Sequence, residues 1–175
     1  MYSMDIVGQA KKVLEIEAEA INNLKDHIGS EISDVVELIA NSKGRVFLSG
    51  VGKSGLIARK IAATLSSTGT PALFVHPTEC FHGDAGIISK DDVGILLSNS
   101  GETDELVEII PFLKRIGVKL VAITGKKDST LSKRSDHVMV VPIEREACPM
   151  DIVPTASTTA MMALGDALAV TLLIK

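Results

Sequence analysis

Lys53 and Ser54 stand among glycines in GVGKSG (residues 50–55), and Ser98, Ser100 and Thr103 crowd around Gly101 in SNSGET (residues 98–103). Ammonium and hydroxyl donors in a glycine-rich turn suit an anion. The bare backbone lets amide groups approach it, and a helix that follows presents its positive end. Each segment directly follows an apolar run, so two loops of this kind predict one divided phosphate site. In it Ser54 faces Ser98, Ser100 and Thr103, and Gly52 allows close approach of the substrate. Capping a helix takes one hydroxyl residue, not three around a glycine.

Spacing separates the anions. A nucleoside triphosphate loop needs a glycine five residues before its Gly-Lys pair. Counting back from Gly52 reaches Phe47, inside the apolar run. Gly50, Gly52 and Gly55 do spell the dinucleotide pattern G-x-G-x-x-G. That pattern also asks for an acid at the end of the next strand, where this chain has His76-Pro77, with Glu79 only beyond the proline. The phosphate of a small molecule is the reading that uses both loops.

Acids and a cation accompany the loops. Glu105 falls in the first turn after SNSGET, where a carboxylate also suits the helix dipole. Glu146 lies in REACP, a position at which most glutamates are solvated. Lys53, inside the glycine loop, can meet a developing oxyanion or a sugar hydroxyl. Thr155 and Ser157 precede the last apolar segment and either reach the site or cap a helix. His76, Cys80 and His82 match no standard zinc spacing and lack a fourth ligand. No catalytic metal is expected, with His82 at most an adventitious zinc ligand.

The elements that must position these residues follow from periodicity. Segments RVFLSG, ALFVH, VGILLSNSG running into its loop, VKLVAITG and HVMVVP read as strands. Helical patterns cover residues 4–28 and a second segment that Ser30 can cap, through about Asn41, then KSGLIARKIAATLSSTG, TDELVEIIPFLKRIG with Pro111 as a candidate kink, STLSKRS and STTAMMALGDALAVTLLIK. Alternation of the two predicts an α/β domain, a five-stranded parallel sheet in a three-layer αβα sandwich, filling residues 1–175 as one unit. Apolar residues make up 46% of the chain and aromatics 3%, so the core is aliphatic. A net charge of −4 disfavours a nucleic-acid binder. No uncharged run reaches membrane-spanning length, and Cys80 and Cys148 form no disulfide framework. A cytoplasmic protein with reduced thiols is expected. The all-round apolar stretch 160–174 predicts burial against another subunit.

The two loops resemble the sugar isomerase (SIS) domain. STGTPALFVHPTECFHGDAG, EREACPMDIVPTASTTA and GDALAV are similar to segments of the D-arabinose 5-phosphate isomerases. The resemblance runs from about residue 10 onward. It implies a flavodoxin-like fold and interconversion of D-arabinose 5-phosphate and D-ribulose 5-phosphate through an enediolate, feeding 3-deoxy-D-manno-octulosonate synthesis. It further implies no cofactor, a homotetramer, Lys53, Glu105, Glu146 and His82 as catalytic residues, and the phosphate on Ser54, Ser98, Ser100 and Thr103. Two departures stand out. Longer family members carry CBS repeats after the SIS domain, and the family continues past the position of Lys175 into a Ser-His-Pro-Gly-Gly segment with an active-site histidine; in addition, Cys80 stands where relatives more often have a small residue. Two other readings stay open: a SIS isomerase acting on a hexulose or heptose phosphate, and a non-catalytic SIS module that senses a sugar phosphate.

Overall fold

The computed structural model describes residues 5–175; Met4, the first residue of the expected first helix, lies outside them. The chain opens with α1 (Ile6–His27) and α2 (Glu31–Ala40). Then follow β1 (Val46–Gly50), α3 (Gly52–Ser67), β2 (Ala72–Phe74) and the short α4 (Pro77–Cys80), with a 3-10 turn at Asp84–Ile87. The second half runs β3 (Val93–Leu97), α5 (Asp104–Ile116), β4 (Lys119–Thr124), α6 (Thr130–Arg134), β5 (His137–Val140) and α7 (Ala156–Ile174). All strands are parallel, in the order β2-β1-β3-β4-β5. This is the expected five-stranded sheet.

Strand periodicity sends alternate side chains to opposite faces. Val46, Leu48, Ile95, Leu97, Val121 and Ile123 join a core with α1, α2, α3 and α7. Phe47, Leu96, Leu120 and Ala122 join a second core with α5 and α6. These are the three expected layers. Helix α7 is long and apolar enough to cross a membrane by composition. Instead it packs on α1 and α3, with Met161, Leu164 and Leu168 buried. Lys60 of α3 and Asp166 of α7 pair at its edge, and Gly165 leaves the space that Ile61 fills.

Local details differ from expectation. Ser30 makes no side-chain cap for α2; the Glu31 carboxylate accepts from the Gly29 N–H instead, at 3.0 Å. Helix α5 runs without interruption through Pro111, which is exposed. The four-residue α4 was not anticipated. Pro77 at its first position and the His76 ring, which accepts from the Thr78 N–H at 3.3 Å, explain it.

Candidate functional site at the carboxyl ends of the strands

The chain leaves β1 and turns to one side to form β2, then returns past β1 to form β3. The carboxyl ends of β1 and β3, with Gly50 opposite Leu97, therefore flank the point where strand order reverses. Ligands of open α/β sheets bind there. GVGKSG leaves β1 at this point and SNSGET leaves β3, so the topology brings the two loops to the same edge.

The glycines of the first loop have separate tasks. Gly52 holds φ +58°, a left-handed conformation that favours glycine. A Cβ on Gly55 would come within 2.6 Å of the Gly50 carbonyl oxygen, so only glycine lets α3 start this close to β1. The first helical backbone bond runs from the Gly55 N–H to the Val51 carbonyl. The amides of Gly52, Lys53 and Ser54 precede it and have no acceptor within the helix. Lys53 is exposed and Ser54 half-buried.

In the second loop Ser98 is buried, with 2% of its surface exposed. Its Oγ accepts from the Gly101 N–H at 3.0 Å. It lies 2.7 Å from Thr103 Oγ1 and 3.4 Å from Ser100 Oγ. Ser100 Oγ in turn accepts from the Glu102 N–H at 3.2 Å. The three hydroxyls expected to act together form one connected group at the start of α5. Thr103 holds the N-cap position without a side-chain cap bond, so its hydroxyl is spent on the group rather than on the helix. Gly101, at φ +66°, sits against Ser129, and its carbonyl accepts from the Leu131 N–H at 3.0 Å. The loop is thereby clamped to α6.

Glu146 is not the solvated loop residue that its position suggests. It is 8% exposed. Its Oε2 accepts from the Thr155 N–H at 2.7 Å, the Thr155 hydroxyl at 3.0 Å and the Ser157 N–H at 3.2 Å. The Asp151 carboxylate accepts from its backbone N–H at 2.7 Å. Burial pushes the Glu146 carboxyl up, but the bonds from Ser157 and Thr155 outweigh it and hold the group below its ordinary value. Glu146 thus anchors the start of α7, and Thr155 serves that anchor. The Ser157 Oγ is buried without a hydrogen-bond partner among the described residues.

A cleft of about 350 Å³ adjoins both Glu146 and Asn99, the residue between Ser98 and Ser100, and none of Ser54, Ser98, Ser100 or Thr103 lines it. Asn99 and Gly125 form one wall, and Arg145, Glu146, Asp151 and Pro154 the other. A second cleft of about 500 Å³ lies beyond Glu146, between α1 and the 145–151 loop. Neither is lined by Lys53, Glu105 or His82. Glu105 is half-buried on α5 and His82 exposed after α4. Among the described residues, no group of three or more His, Cys, Asp or Glu gathers closely enough to hold a metal ion. Burial, and then the charge of Asp84, push the Cys80 thiol up to about 11, which makes it inert. Sequence reasoning passed over Asn99, Gly125 and Asp151. Asn99 lay inside the quoted loop, but only the hydroxyls were counted there.

The anchoring role of Glu146 has a pH signature. A carboxyl held below its ordinary value of 4.5 contributes stability that is present above that value and lost as pH falls through the lower folded one. The Glu146→Gln variant should therefore lose less thermal stability than the parent between neutral pH and about pH 3. Melting temperatures measured across that range check this; parallel curves would contradict it.

The SIS domain profile matches residues 38–171. Arabinose 5-phosphate isomerase KdsD of Pseudomonas aeruginosa is 46% identical over 171 residues, 98% of this chain and 52% of that protein. Arabinose 5-phosphate isomerase KpsF of Escherichia coli O6:H1 is 46% identical over 169 residues, 96% of this chain and 52% of that protein. The chain thus spans about half the length of the curated relatives it matches. A solved structure of an E. coli CFT073 protein in complex with arabinose 5-phosphate superimposes with a TM-score of 0.95 at 40% identity, covering 99% of this chain and 93% of that one. The chain belongs to the SIS domain family.

Proposed function

We propose that the chain is an aldose–ketose isomerase that interconverts D-arabinose 5-phosphate and D-ribulose 5-phosphate. The observation that carries this reading is the connected hydroxyl group of Ser98, Ser100 and Thr103 at the start of α5, on the strand edge that also carries the start of α3. Support comes from the similarity to KdsD and KpsF and from the arabinose 5-phosphate bound by the structural neighbour.

In this reading the phosphate sits on Ser54, Ser98, Ser100 and Thr103 and on the free amides of α3. Gly52 keeps the approach open. The sugar chain extends into the cleft before Glu146, whose ionised carboxylate removes the C2 proton of the open-chain aldose. The C2–H electron pair forms the C1–C2 double bond, and charge develops on O1. Lys53, an exposed cation in the first turn of α3, stabilises that charge. A proton leaves O2 as one reaches C1, giving the ketose. Glu105 and His82 handle protons during ring opening and transfer between the oxygens. Thr155 and Ser157 hold Glu146 and the substrate end of the cleft. Acids and bases suffice for this chemistry, so no metal or cofactor has a role. A homotetramer, a cytoplasmic location and supply of 3-deoxy-D-manno-octulosonate synthesis belong to the same proposal. The exposed apolar residues Ile6, Val7 and Leu14 of α1 and Leu173 and Ile174 of α7 support an assembly.

A sugar-phosphate sensor is the second reading, favoured by the engagement of Glu146 as an anchor. NMR of arabinose 5-phosphate in D2O separates the two: an isomerase converts it to ribulose 5-phosphate and exchanges the C2 proton, and a sensor does neither.

The phosphate assignment makes its own prediction. Ser100 is exposed, so Ser100→Ala should leave the melting temperature nearly unchanged. It should weaken arabinose 5-phosphate binding by about 1.5–3 kcal/mol, the worth of one hydrogen bond to a charged group. Ser98→Ala should weaken binding and also lower the melting temperature, because the Gly101 N–H keeps only its longer bond to the Ser98 carbonyl and the Thr103 hydroxyl loses its partner. Calorimetric titration beside thermal denaturation checks both; unchanged affinity in Ser100→Ala would contradict the assignment.

A further inference from the structure

Asp151 is the one non-glycine residue with positive φ among the described residues, at +54°. Such a conformation costs free energy and persists where its surroundings over-determine it. Aspartate tolerates it better than most residues because its short polar side chain can bond locally, and here it does. Its Oδ1 accepts from the Glu146 N–H at 2.7 Å, and its own N–H donates to the Cys148 carbonyl at 2.9 Å. The two bonds close residues 146–151 into a loop, and Pro149 fixes one more φ inside it.

We propose that Asp151 is a positioning residue for the isomerisation: its carboxylate fixes the main chain at Glu146, so that the Glu146 oxygen engaged by no protein donor is presented to the substrate at a fixed place. This rests on the reading of Glu146 as the proton-transfer base and adds the group that aims it.

The Glu146 carboxylate is held unequally at its two oxygens. The Thr155 N–H, the Thr155 hydroxyl and the Ser157 N–H all donate to Oε2. Oε1 receives no donor among the described residues, yet it is not one of the fully buried side-chain atoms left without a partner. It therefore reaches the surface of the molecule, and Glu146 lines both clefts there. Donors at an oxygen make it a poorer base, so Oε1 is the oxygen suited to take the proton.

Aiming Oε1 requires both ends of the side chain to be fixed. Thr155 and Ser157 fix the far end. The near end lies in the segment between β5 and α7. There the Ala147 N–H donates to Thr155 Oγ1 at 2.8 Å, and the Glu146 N–H takes Asp151 as its acceptor. Removing that acceptor leaves the main chain on the amino side of Glu146 free to pivot. Asp151 is exposed and belongs to neither apolar core, so its contribution is to hold this loop rather than to pack it. Displacement of a reacting group by about 1 Å is enough to lower a rate about 10²-fold.

The test uses two substitutions that separate the hydrogen bond from the strained backbone. Asp151→Gly relieves the positive φ and removes the acceptor, whereas Asp151→Asn tolerates the same φ and keeps an acceptor oxygen. With arabinose 5-phosphate as substrate, kcat should fall about tenfold or more in Asp151→Gly while KM stays within about threefold, and Asp151→Asn should restore kcat to within about threefold of the parent. Melting temperatures of both variants should stay close to the parent's. Placed in a Glu146→Gln background, Asp151→Gly should cause no further loss, because the group it aims no longer takes the proton. A kcat in Asp151→Gly equal to the parent's, beside a loss in Glu146→Gln, would overturn the role of Asp151 alone. An equal loss in Asp151→Asn and Asp151→Gly would assign the effect to charge and overturn the proposal too. The same holds for an undiminished loss in the Glu146→Gln background, or for a loss of turnover that only follows a lowered melting temperature. A parent chain without turnover, or with turnover that survives Glu146→Gln, would overturn the reading of Glu146 and the proposal with it.

Discussion

Glu146→Gln should lower kcat by about 10²–10⁴-fold with KM within a fewfold of the parent, the range and pattern expected when a positioned proton-transfer group is removed. The substitution is informative because of how Glu146 is held. Glutamine keeps an acceptor oxygen for the Thr155 and Ser157 donors, so the start of α7 stays anchored and the loss reads on chemistry. Glu146→Ala would remove anchor and base together. The same hydrogen bonds that keep the carboxylate ionised also make it a weak base. A weak base can take a proton next to a carbonyl only if the resulting oxyanion is stabilised strongly, and that places the demand on Lys53. Exchange of the C2 proton in D2O checks the assignment directly. Normal exchange in Glu146→Gln beside its loss in Glu105→Gln would reverse the two roles.

Gly55→Ala should impair both stability and binding. Its new Cβ would meet the Gly50 carbonyl oxygen at 2.6 Å, a backbone atom of a buried strand that cannot give way. The start of α3 must move outward instead. Overpacking of this kind costs about 1–3 kcal/mol. The displaced amides and Ser54 should also lose about tenfold or more in phosphate affinity, equivalent to one good hydrogen bond. Thermal denaturation and titration with arabinose 5-phosphate check the pair. Gly52→Ala is the contrasting variant: nothing lies within 4 Å of a Cβ there, so its cost comes from φ +58° alone and should be smaller.

The layers and strands were legible in the sequence because buried parallel strands are short aliphatic runs between helices of ten or more residues. Val93–Leu97 and Val46–Gly50 are such runs. The two loops were legible as candidates because hydroxyls around a glycine are rare where only a cap is needed. Glu146 was singled out by resemblance, but its burial was not legible. The chain turns back so that residues nine and eleven positions later supply its donors, and no periodicity records that. Asn99 was overlooked for the opposite reason. An amide beside two serines looks like loop composition until Gly125, just past the end of β4, proves to leave space for it. The α4 turn needed only the His-Pro pair to be read as a helix start.

The three hydroxyls of the second loop also have a direction. Ser98, Ser100 and Thr103 own three hydroxyl hydrogens, and their two mutual contacts consume two. One hydrogen is always left over. Ser98 stands in the middle and is buried, so the spare hydrogen does not emerge from it. If Ser98 donates to Thr103, the spare emerges at Thr103; if Thr103 donates to Ser98, it emerges at Ser100. The two states differ only by a concerted turn of the O–H bonds, with no heavy atom moving. The loop therefore offers one hydroxyl donor at either of two places, Thr103 or Ser100, without any change in its backbone.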